Sequence, residues 1–163
     1  MGRILLELRL LVKKMEKIIL REKNFSRLKE FVKKNKDKKI IFSSNDDNLN
    51  RKVMEKLPVD LVLINLSHRK DFLKQRNSGL NEVMARIASK NKVQIGINFD
   101  EFFVLSEREK ILSRVKQNIT LCSRKKIQMQ FVMGKEKRSL VLLKSLGSVL
   151  GMPTWMTKGL DLY

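Results

Sequence analysis

Cysteine, histidine and aromatic residues are scarce in this chain, and each scarcity removes a class of function. There is one cysteine, Cys122, and one histidine, His68. A single thiol forms no internal disulfide, and one thiol with one imidazole cannot build a zinc site from Cys and His ligands. Cys122 falls on the apolar face of a helical pattern, so it reads as a small buried hydrophobe rather than a nucleophile. Aromatics make up 6% of the residues and do not interleave with the basic ones, which argues against base stacking on single strands. No Gly-x-Ser-x-Gly, P-loop, His-x-His or His-x-x-Glu-His pattern occurs. By its own residues the chain does not look like an enzyme.

Long apolar runs are also missing. Residues 4–12 are interrupted by Glu7 and Arg9 and are too short to cross a bilayer. There is no signal-peptide pattern, so the expected location is cytoplasmic, with no membrane contact. Acidic residues are few: 17 Asp+Glu stand against 36 Lys+Arg, a net charge of +19. Such an excess repels itself, and an intracellular polyanion is the usual reason for keeping it. A hydrophobic content of 42% in 163 residues supports a globular fold, read as a single domain over residues 1–163.

Apolar spacing divides the chain into alternating strands and helices. Residues 4–12 alternate as a strand, though the stretch also fits a helix running on to Ile18 and Ile19. Phe25, Leu28 and Val32 recur at helical spacing. Residues 39–43 (KIIFS) and 59–66 (VDLVLINL) are short buried-type strands. Between them lies a helix capped by Asp46 or Asp47, presenting Leu49, Val53 and Leu57 and ending at Pro58. Ser78 is placed to cap a helix over residues 79–91 with a stripe of Leu80, Val83, Met84, Ile87 and Ala88. The strand VQIGINF follows at 93–99. Ser106 with Glu109 reads as a capping box opening a helix through Ile111, Val115, Ile119 and Cys122. Residues 127–133 alternate as a strand, and a last helix near 138–150 stops at Gly151 with Pro153 beyond. Strands alternating with helices imply βαβ units and an α/β fold with a mostly parallel sheet. Five strands are too few for an eight-fold barrel, which leaves a partial barrel or an open sheet.

In such folds the loops after the strands form the functional face. They would gather Ser44, Asn45, Asp46 and Asp47 near His68, Arg69, Lys70 and Asp71, with Asp100, Glu101, Lys135 and Glu136 on the same rim. These carboxylates and the imidazole suggest, as one alternative, a stand-alone metal-dependent phosphoesterase or nuclease. The lone histidine and the capping role open to Asp46 and Asp47 argue against it, so no catalytic or metal residue is assigned. Basic clusters are better supported: Arg69, Lys70, Lys74 and Arg76 in one loop, Arg86 and Lys90 on the next helix, Arg124, Lys125 and Lys126 at the end of the long helix. Side chains of this kind suit backbone phosphates of structured RNA. Part of this charge is a plain solvated surface, and a general basic RNA-binding module is a further alternative. Trp155, Met156, Leu160, Leu162 and Tyr163 make the last residues apolar, for docking on their own core or on a protein partner.

Residues 69–99, RKDFLKQRNSGLNEVMARIASKNKVQIGINF, carry a more specific pattern. Arg76-Asn-Ser78-Gly79-Leu80-Asn81, then Ala85, Ile87-Ala88, Lys92-Val93 and Ile95, resemble the protein component 3 family of archaeal and eukaryotic ribonuclease P. Asn118-x-x-Leu121-Cys122, a basic turn, an apolar strand and Leu150-Gly151-Met152 continue the resemblance, which covers about residues 39–153. It implies a TIM-barrel-like subunit, here incomplete, of the ribonucleoprotein that removes 5′ leaders from precursor tRNA. It also implies a small ferredoxin-like protein partner and catalysis by Mg²⁺-dependent RNA, with no cofactor on this chain. The family often has His after Leu-Asn, where this chain has Glu82. Fewer elements than in the family imply a barrel whose closure is lost or completed by a partner.

Overall fold

The computed structural model describes residues 16–163, so the alternating stretch 4–12 lies outside the described residues. Each strand is a short β-branched or aliphatic run bounded by polar residues. In chain order the elements are β1 (Lys17–Leu20), α1 (Phe25–Lys34), β2 (Lys39–Ser44), α2 (Asp47–Lys56), β3 (Leu61–Ile64), α3 (Glu82–Asn91) and β4 (Gln94–Asn98). Two 3₁₀ turns, Phe99–Phe103 and Leu105–Glu107, lead into α4 (Arg108–Arg124), β5 (Met129–Val132), α5 (Leu140–Leu150) and α6 (Thr154–Lys158). Ile18 and Ile19 are strand residues paired with Ile40 and Ile41, not the end of a helix.

All the pairings are parallel, and the strands lie in the order β1-β2-β3-β4-β5. That order decides between the two architectures left open by the sequence. Right-handed crossovers that always step the same way put every helix on one face, whereas a doubly wound sheet must reverse its order. The sheet is therefore a run of consecutive βα units, an α/β fold of TIM-barrel-like type. Helix-facing residues such as Phe42, Val62, Ile95 and Phe131 join the main core. The opposite face carries a small cluster of Ile41, Leu61, Leu63 and Val132, against which Tyr163 packs.

The last residues dock on this second face. The Gln130 amide donates to the Gly159 carbonyl (2.8 Å), and its oxygen accepts from the Asp161 N–H (2.9 Å). The Met133 N–H donates to the Tyr163 carbonyl (3.0 Å), and Lys17 donates to the Leu162 carbonyl. Lys17 also sits 3.8 Å from the centre of the Tyr163 ring. Of the two roles open to this segment, docking on its own sheet is the one seen. Helix α5 leaves Val141, Leu142 and Val149 exposed.

Two helix starts differ from the sequence reading. Helix α3 begins at Glu82, and Asn81, not Ser78, caps it by accepting from the Met84 N–H (2.9 Å). Ser78, Gly79 and Leu80 are buried loop residues, and Val83 faces solvent. Gly79 has φ +71, and a Cβ there would lie 2.5 Å from Arg69 Nη2 and 2.6 Å from Ile64. The Ser106–Glu109 capping box does not form. Ser106 lies in a 3₁₀ turn and α4 starts at Arg108 without a side-chain cap. Helix α3 thus keeps a side-chain cap, three residues later than Ser78, whereas α4 starts without one.

Three helices end alike. In α3, α4 and α5 a left-handed residue follows the last turn, and the next N–H bonds back across it. Val93 donates to Ala88, Ile127 to Cys122 and Met152 to Gly147, each at 2.9 Å. The left-handed residue is Gly151 after α5, the residue type suited to it. After α3 and α4 it is Lys92 and Lys126, both at φ 56. A side chain in this conformation costs on the order of 1 kcal/mol.

Candidate functional site

The strands point one way, so their carboxyl ends share one rim. There the turns after β1, β2 and β3 enclose an open cleft of about 1070 Å³ lined by Arg21, Lys23, Ser44–Asp47, Asn65, Ser67–Lys70 and Glu101. Of the two groups expected to meet, residues 44–47 and 68–71, all but Asp71 line this cleft together. Asp100 joins Lys135 and Glu136 as expected, through its carboxylate accepting from the N–H groups of Gly134, Lys135 and Glu136 at 2.8–3.2 Å.

The long loop between β3 and α3 dominates the rim, and buried charge holds it in place. Arg114, 1% exposed, donates to the carbonyls of Leu66 and Arg69 (each 2.8 Å) and to Asp71 Oδ1 (2.9 Å). Glu101, 5% exposed, accepts from the N–H groups of Leu66 and Ser67 and from the Ser67 hydroxyl, at 2.8–3.1 Å. Arg69 forks onto both oxygens of Asp47 at 2.8 and 2.9 Å, while its Nε donates to the Asn65 carbonyl. Further along, Asn118 donates to the Ser78 carbonyl (3.0 Å) and Gln117 to that of Arg76 (3.3 Å). His68 donates its N–H to Glu107 at 2.7 Å, with its ring nitrogen 3.3 Å from the same carboxylate.

These bonds set the charge states. The Arg114 guanidinium and the Asn77 N–H hold the Asp71 carboxyl below its ordinary range. The His68 N–H does the same for Glu107. Burial alone would raise Asp100, but its three N–H donors outweigh it and lower the group. Burial pushes the Cys122 thiol up to about 12, so Cys122 is an inert core residue. Among the described residues, no three His, Cys, Asp or Glu side chains are placed to hold a metal ion. None of the helices among those residues is long and apolar enough to cross a membrane.

The basic candidates do not form one surface. Lys70, Lys74 and Arg76 are exposed on the rim loop and carry no ion pair among the described residues. Arg69 lies among them in sequence but its side chain is 9% exposed. It fixes the loop instead of projecting from it. Helices run back from the rim, so Arg86 faces solvent partway down α3, and Lys90, Arg124, Lys125 and Lys126 reach the opposite, amino end of the strands. Lys125 pairs with Glu82, whose carboxyl it lowers, so Glu82 tethers α3 to the end of α4. Sequence reasoning missed Arg21 and Lys23 on the cleft and Arg114 beneath it. Arg114 had left a sign: it stands within the apolar stripe Ile111, Val115, Ile119 and Cys122, as a buried polar group with bonded partners does.

Fold and rim define a class, a TIM-barrel-like α/β protein whose carboxyl-end loops are braced from inside and present cations outward. The chain is similar to ribonuclease P protein component 3. It is 27% identical over 139 residues, 83% of its length, to the protein of that name from Methanococcus maripaludis (strain C7), and spans 56% of that relative's length. Its fold matches a chain in the cryo-EM structure of archaeal ribonuclease P with mature tRNA at TM-score 0.72 and 20% identity. The match covers 97% of this chain and 71% of that one. No family model matches the chain.

Proposed function

We propose that this chain is a non-catalytic protein subunit of ribonuclease P, a cytoplasmic ribonucleoprotein that removes 5′ leaders from precursor tRNA. It binds and braces the RNA, which performs the Mg²⁺-dependent hydrolysis, and it works beside a small ferredoxin-like protein. One observation carries the reading of the site. The rim carboxylates of Asp47, Asp71, Asp100, Glu101 and Glu107 are all engaged by the chain's own N–H and guanidinium groups. Lys70, Lys74 and Arg76 stay exposed. A hydrolytic centre needs carboxylates open to a metal or a water, whereas a phosphate-binding face needs unpaired cations on a fixed backbone. The sequence similarity to component 3 supports ribonuclease P RNA as the polyanion.

Reconstitution tests this. With ribonuclease P RNA and the ferredoxin-like partner, the protein should lower the Mg²⁺ concentration needed for leader removal, and without RNA it should cleave nothing. Leader removal by the protein alone with Mn²⁺ or Zn²⁺, abolished by Asp46→Asn or His68→Ala, would overturn the proposal.

A further inference from the structure

The amino end of the strands carries a second basic surface, opposite the rim. The turns entering β2, β3, β4 and β5 lie side by side there in strand order. Lys33, Lys34 and Lys36 close α1, Lys92 follows α3, and Arg124 and Lys126 close α4, all but the turn residue Lys36 and the left-handed pair within or beside a last helical turn. All six are exposed, and among the described residues none of them is in an ion pair, although Glu82 lies near enough to Arg124 for their charges to interact. Lys126 lies 5.5 Å from the centre of the Trp155 ring, which leaves its charge unneutralised. The acids at this end are Glu16, which pairs with Lys38 at 2.8 Å, Asp37, Glu55 and Asp60, which is held by the Ile40 N–H at 2.8 Å, and Glu82 reaches it through Lys125.

Lysine at a helix end often does no more than offset the helix dipole. Two features of this fold exceed that. Helix α5 ends in the same motif with no basic residue in its last turn, so the motif forms without a cation. Its left-handed position holds Gly151, while the equivalent positions of α3 and α4 hold Lys92 and Lys126. Lysine there is less stable than glycine, so backbone conformation does not account for it. A need for positive charge at that point does.

We infer that this end is a second phosphate-binding surface, and that the protein bridges two separate backbone segments of structured RNA. The inference rests on the proposed function and adds its second contact. Helix α4, with 17 residues, runs from one end to the other, and at 1.5 Å per residue it separates them by roughly 25 Å. One phosphate run along a strand edge does not serve both. The sparse aromatics favour shape and phosphate contacts over stacking on unpaired bases.

The full chain and a transcript of ribonuclease P RNA test it. Lys92→Gly with Lys126→Gly should raise the unfolding midpoint and at the same time weaken RNA binding on the order of tenfold. The slope of log affinity against log salt should fall by about one per lysine removed. Lys33→Ala with Lys36→Ala should weaken binding without raising stability. Combined with Lys70→Ala, Lys74→Ala and Arg76→Ala at the rim, the slope losses should add. If the glycine variant leaves affinity and slope unchanged while the rim variant lowers both, the second surface is refuted and the proposed function stands. A glycine variant less stable than the parent would make these lysines structural and also refute it. If neither end affects binding to this RNA, the proposed function itself falls.

Discussion

Gly79 and Arg69 show how single residues set the rim. The guanidinium of Arg69 can fork onto Asp47 because the neighbouring backbone has no side chain and adopts a left-handed turn. Gly79→Ala would place a Cβ against Arg69 and Ile64 and strain φ as well, so a loss of about 2–4 kcal/mol is expected. Chemical denaturation of the variant would measure it. RNA affinity at fixed salt should fall too, because the loop bearing Lys70, Lys74 and Arg76 loses its anchor. An alanine variant as stable as the parent would mean that the close approach is not required. The sequence marked Gly79 as notable, but as a helix start. Its actual role depends on Arg69 and Ile64, which only the folded chain brings to it.

At the scale of the element, the loop between β3 and α3 is held by ionised carboxylates. Asp71 and Glu107, which hold it, have folded pKa values below their ordinary ones, as does Asp100, which holds the turn after β5. A depressed folded pKa means that the unfolded chain takes up protons more readily. The stabilisation is therefore complete above the ordinary carboxylate pKa, near pH 4, and is lost as pH falls through the lower folded values. Thermal unfolding followed across this range should show the midpoint dropping below about pH 4. Asp71→Asn should lower the midpoint at neutral pH and flatten the acid part of the curve. A variant curve parallel to that of the parent would remove Asp71 from the acid response. The pairing of Asp71 with Arg114 spans 43 positions in sequence, so neither residue type nor spacing could have announced it.

Across the whole molecule, Tyr163 packs on the second face of the five strands among the described residues, at the end of residues 161–163, which Gln130, Lys17 and Met133 tie down. Removing them uncovers Ile41, Leu61, Leu63 and Val132 and takes away the Tyr163 ring between Lys17 and Lys39. Burial of a ring of this size stabilises by about 2 kcal/mol, so the truncated chain should melt roughly 4–8 °C lower. Calorimetry of the two forms would check it. An unchanged midpoint would mean that the segment contributes nothing to stability and leave its apolar residues for a partner.

Pattern and composition by themselves determined the alternation of strands and helices, a cap at Asp46 or Asp47, the stop at Gly151 and the net charge of +19, because each rests on local chemistry or on summed charge. The resemblance of residues 69–99 pointed to the relative that the comparison then identified. Tertiary structure decided the rest. It turned Arg69 inward to Asp47, moved the start of α3 from Ser78 to Asn81, and ordered the strands without reversal. It also divided the basic clusters between two ends of the sheet. Those outcomes depend on which residues, far apart in sequence, come within hydrogen-bond reach once parallel strands fix the direction of every loop and helix. A pattern read along one chain carries no such distances.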